Sequence, residues 1–184
     1  MLTYELIAMF GRVLLAVTLA VAGLGKLRSR AAFDAFAETF GDLGWRSGPG
    51  RRAAAAALPG AELGSAVLLA VPPTLIWGYA AALTLLAAMT ATAAMAVKRG
   101  RRVRCRCFGL AEESIGASTL TRNTVLVAAG LAGLAGALAS AGRAGSPAAQ
   151  VLGAGLGLIG AAVIVYWAEL GYLLRGRPTA PGQG

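Results

Sequence analysis

No histidine occurs among the 184 residues. That absence excludes a histidine general base, a histidine metal ligand and histidine-ligated haem within this chain. Acids are scarce as well, with eight Asp and Glu against 17 Lys and Arg, for a net charge of +9. Cysteine occurs twice, at Cys105 and Cys107. A zinc site built on those two thiols would need Glu112 and Glu113 as its remaining ligands, a poor set for a metal that favours four sulfur and nitrogen donors, so no metal site is expected. Residues 1–11 hold Glu5 and no base. A cleaved signal peptide starts with positive charge, so the first apolar block is expected to be a permanent span.

What the chain does contain is apolar sequence in long blocks. Hydrophobic residues make up 57% of it and the mean hydropathy is +0.68, both above the range of ordinary soluble domains. About 20 apolar residues suffice for a helix to cross the hydrocarbon of a bilayer. Five such blocks predict an all-α, polytopic helix bundle in one domain over 1–177. The spans fall at Leu2–Gly25, Ala53–Val71, Thr74–Val97, Leu120–Ala141 and Val151–Leu174. The second is the weakest, being alanine-rich and interrupted by Pro59 and Glu62. Pro72 and Pro73 end it in a tight turn, since proline lacks a donor and restricts its predecessor. Ser118 or Thr119 is placed to cap the fourth span. Residues 178–184 read as a disordered tail.

The bases cluster in short loops beside these spans. Positive charge there orients membrane helices and meets anionic lipid headgroups, and no nucleic acid is expected as a partner. Within the loop at 26–52, Phe33, Phe36, Ala37 and Phe40 recur at helical spacing, while Asp34, Glu38 and Asp42 fall on another face. This predicts an amphipathic helix, either flat on the interface or packed on the bundle. Gly130, Gly133 and Gly136, with Gly153 and Gly157, suit close helix approach, within one copy or between two.

Two charges fall inside spans. Arg12 lies near the middle of the first and Glu62 near the middle of the second. A charge at mid-bilayer costs about 2.5–3.5 kcal/mol on insertion scales. Antiparallel neighbours would bring the two to similar depth, so they are expected to pair. The pair either pins two helices together or forms a polar pocket for a quinone headgroup, a substrate or a proton.

The loop at 98–118 holds the thiols in the string RRVRCRCFG. Arg104 and Arg106 flank Cys105, and neighbouring cations favour the reactive thiolate. A disulfide across one intervening residue closes a small, strained ring, and strained exposed disulfides are the labile ones. Cys105 and Cys107 are therefore expected to exchange electrons with another dithiol. Palmitoylation beside the membrane is the alternative.

CRCFG, followed by LAEESIGASTLTRN, resembles the C-x-C-F-G … R-N signature of the MauE family of methylamine-utilisation membrane proteins. AGLGKL at the end of the first span and LPGAEL around Glu62 resemble further motifs of that family, the former shared with the DoxX group. The matching positions are Cys105, Cys107, Phe108, Gly109, Arg122 and Asn123, with Lys26, Pro59 and Glu62 behind them. The resemblance covers about residues 5–170 and implies a DoxX-like four-helix core plus one helix in a bacterial inner membrane. It also implies a role, beside a thioredoxin-fold partner, in forming disulfides of an extracytoplasmic client such as the small subunit of methylamine dehydrogenase. A bundle-bound quinone as electron carrier follows only by analogy with other membrane disulfide oxidases. A non-enzymatic scaffold or chaperone, and a small transporter lined by Arg12 and Glu62, are the competing functions.

With five spans, 14 of the 17 bases fall on one side of the membrane and Arg143 alone on the other, Arg12 and Arg122 being left out of the count. The positive-inside rule then predicts the N-terminus outside, the C-terminus inside and CRCFG at the cytoplasmic surface. A periplasmic disulfide role would prefer the opposite face, unless the loop folds back into the bundle.

Overall fold

The computed structural model describes residues 2–42, 44, 48–100, 104–105, 113–114, 116–141 and 145–167. Its first helix, α1 (Leu2–Leu27), buries one stripe made by Gly11, Leu14, Leu15, Thr18, Leu19, Ala22, Gly23 and Lys26. Those positions recur at three- and four-residue steps, the repeat that brings side chains to one helix face. After α1 come α2 (Arg30–Asp42), α3 (Pro49–Ala70), a 3₁₀ turn (Pro72–Thr74) and α4 (Leu75–Lys98). A two-residue antiparallel ladder follows, β1 (Arg104–Cys105) on β2 (Glu113–Ser114), and then α5 (Ala117–Ala139) and α6 (Pro147–Val165).

Five of these helical segments are long and apolar enough to cross a membrane, the weak second span among them. Helix α1 is central: it packs on α3, α5 and α6, while α4 joins α3 to α5 and closes a four-helix core. Contacts fix the directions. Arg12 reaches Leu69 and Ala70, whereas Gly23 lies against Pro59 and Leu63, so α1 and α3 are antiparallel. Gly153, Gly157 and Gly160 meet Leu6, Phe10 and Leu14 in turn, so α6 runs parallel to α1. Large apolar side chains such as Val67, Leu131, Leu156 and Ile159 are exposed on the outside, as expected where the neighbours are lipid tails rather than water.

Small residues bring the backbones together. A Cβ on Gly133 would stand 2.6 Å from Tyr79 Oη and 3.0 Å from Gly11 Cα. The room left by the absent side chain lets fully buried Tyr79 donate to the Ala8 carbonyl at 2.8 Å, which satisfies the one polar atom of that ring. Gly153 and Gly157 make their close approach to α1 of the same chain, so packing within one copy accounts for that motif.

Several expectations need correction. The fourth helix begins earlier than its hydroxyls suggest. Gly116 is the N-cap in extended conformation, no side-chain cap is made, and Ser118 and Thr119 sit inside the first turn. Ser118 Oγ instead accepts from Trp167 Nε1 at 3.1 Å. The fifth helix starts at Pro147 rather than Val151, and Glu5 accepts the Ser146 N–H at its N-terminus at 2.7 Å. A carboxylate is favoured at that positive end of the helix dipole. The end expected at Leu174 and the tail at 178–184 lie outside the described residues. Helix α2 packs on the bundle: Phe36 and Ala37 are buried with Ala55, and Phe33, Phe40 and Leu58 pack around them.

A branched side chain at the α1–α5–α4 crossing should strain the core. Gly133→Val is expected to lower stability by about 1–3 kcal/mol, read as a drop in thermal melting temperature in detergent. Gly155→Val, where nothing lies within 4 Å of the added carbon, should leave that temperature unchanged.

Candidate functional site

The end of the bundle that carries α2 and the α4–α5 connection holds a buried ionic centre. Helix α1 runs past Gly25, which puts Lys26 on the buried stripe one turn after Ala22. Lys26 Nζ donates to both Glu62 carboxylate oxygens at 2.8 Å and to the Ala22 carbonyl at 3.2 Å. Both side chains are at most 1% exposed. All three ammonium hydrogens thus have acceptors, the condition under which a buried charge pair is tolerated. The Phe36 ring of α2 covers Lys26, with its centroid 5.3 Å from Nζ. Phe36 in turn meets Phe40 edge to face at 5.5 Å, an arrangement that suits the ring quadrupoles.

The partner expected for Glu62 was Arg12, and the structure places Arg12 elsewhere. Its Nε and Nη2 donate to the Leu69 and Ala70 carbonyls, each at 2.7 Å. Those carbonyls end α3 and have no partner within the helix, and a cation there also complements the negative end of the dipole. The physical reason is register. Antiparallel packing sets Arg12 beside Leu69, about 10 Å along the axis from Glu62 at 1.5 Å per residue. The pairing thus joins the two positions that stand in AGLGKL and LPGAEL.

Helix α5 supplies the rest of this end. Arg122 is 5% exposed and Asn123 4%, both on the second turn, and Arg122 is close enough for its charge to act on Lys26. Thr119 of α5 and Thr39 of α2 are also buried.

Beside the ionic centre lies a cavity of about 410 Å³ between α2, α3, α4 and α5. Phe36 and Phe40 of α2 line one side, alanines and Leu85 of α3 and α4 line others, and Thr119, Arg122 and Asn123 of α5 line another, with Thr39 and Thr92 as further polar groups. Ala57, Ala61 and Ala88 border it and are exposed on the bundle surface, so it opens sideways, where lipid would be. This cavity was not legible in the sequence, because its walls are ordinary alanines, leucines and threonines.

Of the thiol loop, the described part is the ladder. Arg104 pairs with Ser114 and Cys105 with Glu113 through the backbone, and β1 lies against α2. Arg106, Cys107, Phe108 and Gly109 lie outside the described residues. The structure therefore brings Lys26, Glu62, Arg122 and Asn123 to the same end as the strand that contains Cys105, and leaves Arg12 near the opposite one.

A family model described as methylamine utilisation protein MauE matches residues 4–136. No curated protein and no solved structure matches the chain.

Removing one member of the ion pair should strand the other. Lys26→Ala and Glu62→Ala are each expected to cost about 3–5 kcal/mol, while Lys26→Met with Glu62→Leu should recover most of the loss. Arg12→Ala and Glu62→Ala should combine additively to within about 0.5 kcal/mol. Thermal unfolding of the purified variants in detergent checks both, and a coupling between Arg12 and Glu62 would contradict the α1–α3 register.

Proposed function

The chain belongs to the MauE family, and from that premise we propose that it is a membrane thiol–disulfide redox protein acting through Cys105 and Cys107. The observation that supports this reading most is the position of β1. The strand holding Cys105 lies against α2, and α2 covers the buried Lys26 with Phe36. The only two cysteines of the chain thus belong to a loop anchored on the charged, cavity-bearing end of the bundle.

In this reading a thiolate of a thioredoxin-fold partner attacks one sulfur of the Cys105–Cys107 disulfide. The S–S bond breaks, a mixed disulfide forms and one cysteine leaves as thiolate. The partner's second thiolate then attacks the mixed disulfide, which releases the partner oxidised and the chain as a dithiol. Two electrons and two protons have moved onto this chain, and the partner leaves as the oxidant for its own client. The surrounding arginines favour the departing thiolate electrostatically. A transporter lined jointly by Arg12 and Glu62 loses its premise, since the two side chains bind different groups at different depths.

The inner membrane is the proposed location, with the N-terminus outside and the base-rich end in the cytoplasm. Lys26 leaves the tally of loop charges because it is buried in a pair, but the remaining bases still favour that face.

Gel-shift alkylation across a dithiothreitol series should show Cys105 and Cys107 interconverting as a two-electron couple, and single serine variants should trap a thioredoxin-fold protein as a mixed disulfide. Thiols that remain reduced in oxidised glutathione would contradict the redox reading. Retained function in the Cys105→Ser/Cys107→Ser double variant would favour a scaffold instead. Orientation is read separately: after reduction, a membrane-impermeant maleimide should label the cysteines only in permeabilised cells, and labelling of intact cells would reverse the assignment.

A further inference from the structure

We propose that the cavity between α2, α3, α4 and α5 holds one acyl chain of a membrane diacyl lipid, with the ester carbonyl of that chain accepting from the Asn123 side-chain amide. The site is independent of the thiol chemistry.

The mouth of the cavity fixes where its occupant comes from. Ala57, Ala61 and Ala88 on its rim are exposed, and they belong to helices long and apolar enough to cross a bilayer. The opening therefore faces hydrocarbon. At about 410 Å³ the space is in the range that holds a small organic ligand, roughly 300–1,000 Å³. Leu85, Met89 and the alanines give it a mainly apolar lining. A lipid chain enters from such surroundings without crossing water, whereas a hydrated solute would have to shed its water to reach the opening.

Asn123 sets the polar requirement. Its side chain is only 4% exposed, lines the cavity and makes no hydrogen bond among the described residues. Thr119, one turn earlier on the same face of α5, is likewise buried on the lining without a hydrogen bond among the described residues. The other polar groups there are engaged. Thr92 donates to the Ala88 carbonyl at 2.8 Å, and Thr39 and Arg122 each have an interaction of their own. A buried amide without a partner is costly and uncommon. A bare hydrocarbon would leave it unmet, and a charged headgroup would lose its hydration to an uncharged donor. An ester carbonyl is an uncharged acceptor carried directly on an apolar chain, and it meets both conditions. Depth agrees with this. Asn123 lies six residues past Ala117, the first residue of α5, or about 9 Å along the axis at 1.5 Å per residue. The headgroup region takes up about 5–8 Å on each side of the hydrocarbon. With α5 starting at the interface, Asn123 stands at the hydrocarbon edge, where the esters of diacyl lipids lie.

The test uses full-length protein in dodecyl maltoside, titrated with a phosphatidylcholine that carries a diazirine on one acyl chain, and crosslinks are mapped by mass spectrometry. Saturable labelling of the α3, α4 and α5 segments that border the cavity is expected, displaced by unlabelled diester phosphatidylcholine. The dialkyl ether analogue, which lacks the carbonyl, should compete about fivefold less well. Asn123→Leu should bring the diester down to the level of the ether and leave competition by the ether unchanged. Ala61→Phe fills the cavity from its exposed rim and should reduce labelling at least tenfold, while Gly155→Val on α6 should leave it unchanged. The melting temperature of Asn123→Leu in lipid-free detergent should not fall, since no hydrogen bond to a described residue is lost. A fall there would make Asn123 a structural residue and overturn its role as donor. Labelling that does not saturate, or that is indifferent to Ala61→Phe, overturns the site. Equal competition by diester and ether lipids in the unsubstituted protein overturns the contact between Asn123 and the carbonyl. A co-purifying neutral lipid of another class that the diester fails to displace overturns the choice of occupant.

Discussion

Two charges that bind one another out of contact with solvent set the terms for the rest of the structure. Lys26 and Glu62 come from different helices, and neither could stay ionised alone where both are at most 1% exposed. Desolvation costs several kcal/mol per ion, and the mutual attraction offsets it only with close geometry and no unmet hydrogen bonds. The geometry here meets those conditions, with both carboxylate oxygens engaged and the Ala22 carbonyl taking the third ammonium hydrogen. The pair therefore fixes the register of α1 on α3. A slip of one helical turn would separate the ions and leave each without a partner. It also explains why α2 returns to the bundle instead of remaining on the membrane surface, because Phe36 covers the ammonium group.

The two ends of the bundle differ in kind. At one end, α3 and α4 are joined by the Pro72–Thr74 turn and Arg12 closes the carbonyls of α3. Thr74 adds hydrogen bonds to Leu68 and Val71. These polar groups all complete a helix terminus, and the end is a structural closure. At the other end α3, α4 and α5 border a cavity that α2 also walls, and β1 lies against α2. Buried charge, cavity and cysteine-bearing strand all belong to that end. Function is expected where polar groups are retained beyond what helix termini require.

Between the ends, close packing substitutes for the hydrophobic effect, which gives little preference for helix–helix over helix–lipid contact in a bilayer. The glycines of α5 and α6 bring those backbones onto α1, and Tyr79 fills the space beside Gly133. The same glycines would also suit association of two copies, but their faces are occupied by α1. The outer face of α6 is left with large aliphatic residues suited to lipid.

Apolar run lengths alone determined the membrane class, the five spans and the tight turn at Pro72 and Pro73, because crossing a bilayer imposes a length and proline forbids helix continuation. The helical period of Phe33, Phe36 and Phe40 likewise identified α2, while leaving open what its apolar face covers. The motif AGLGKL marked Lys26, and LPGAEL marked Glu62, yet nothing in either string says that the two meet. Arg12 was assigned to Glu62 because both lie inside spans. Only the three-dimensional register shows that α1 continues through Lys26 and that Arg12 meets the end of α3 instead. Depth along a helix follows from the chain, whereas the rotation and offset of one helix against another depend on side-chain contacts across the interface. The cavity was hidden for the same reason: it is a gap between four helices, and a gap has no sequence of its own.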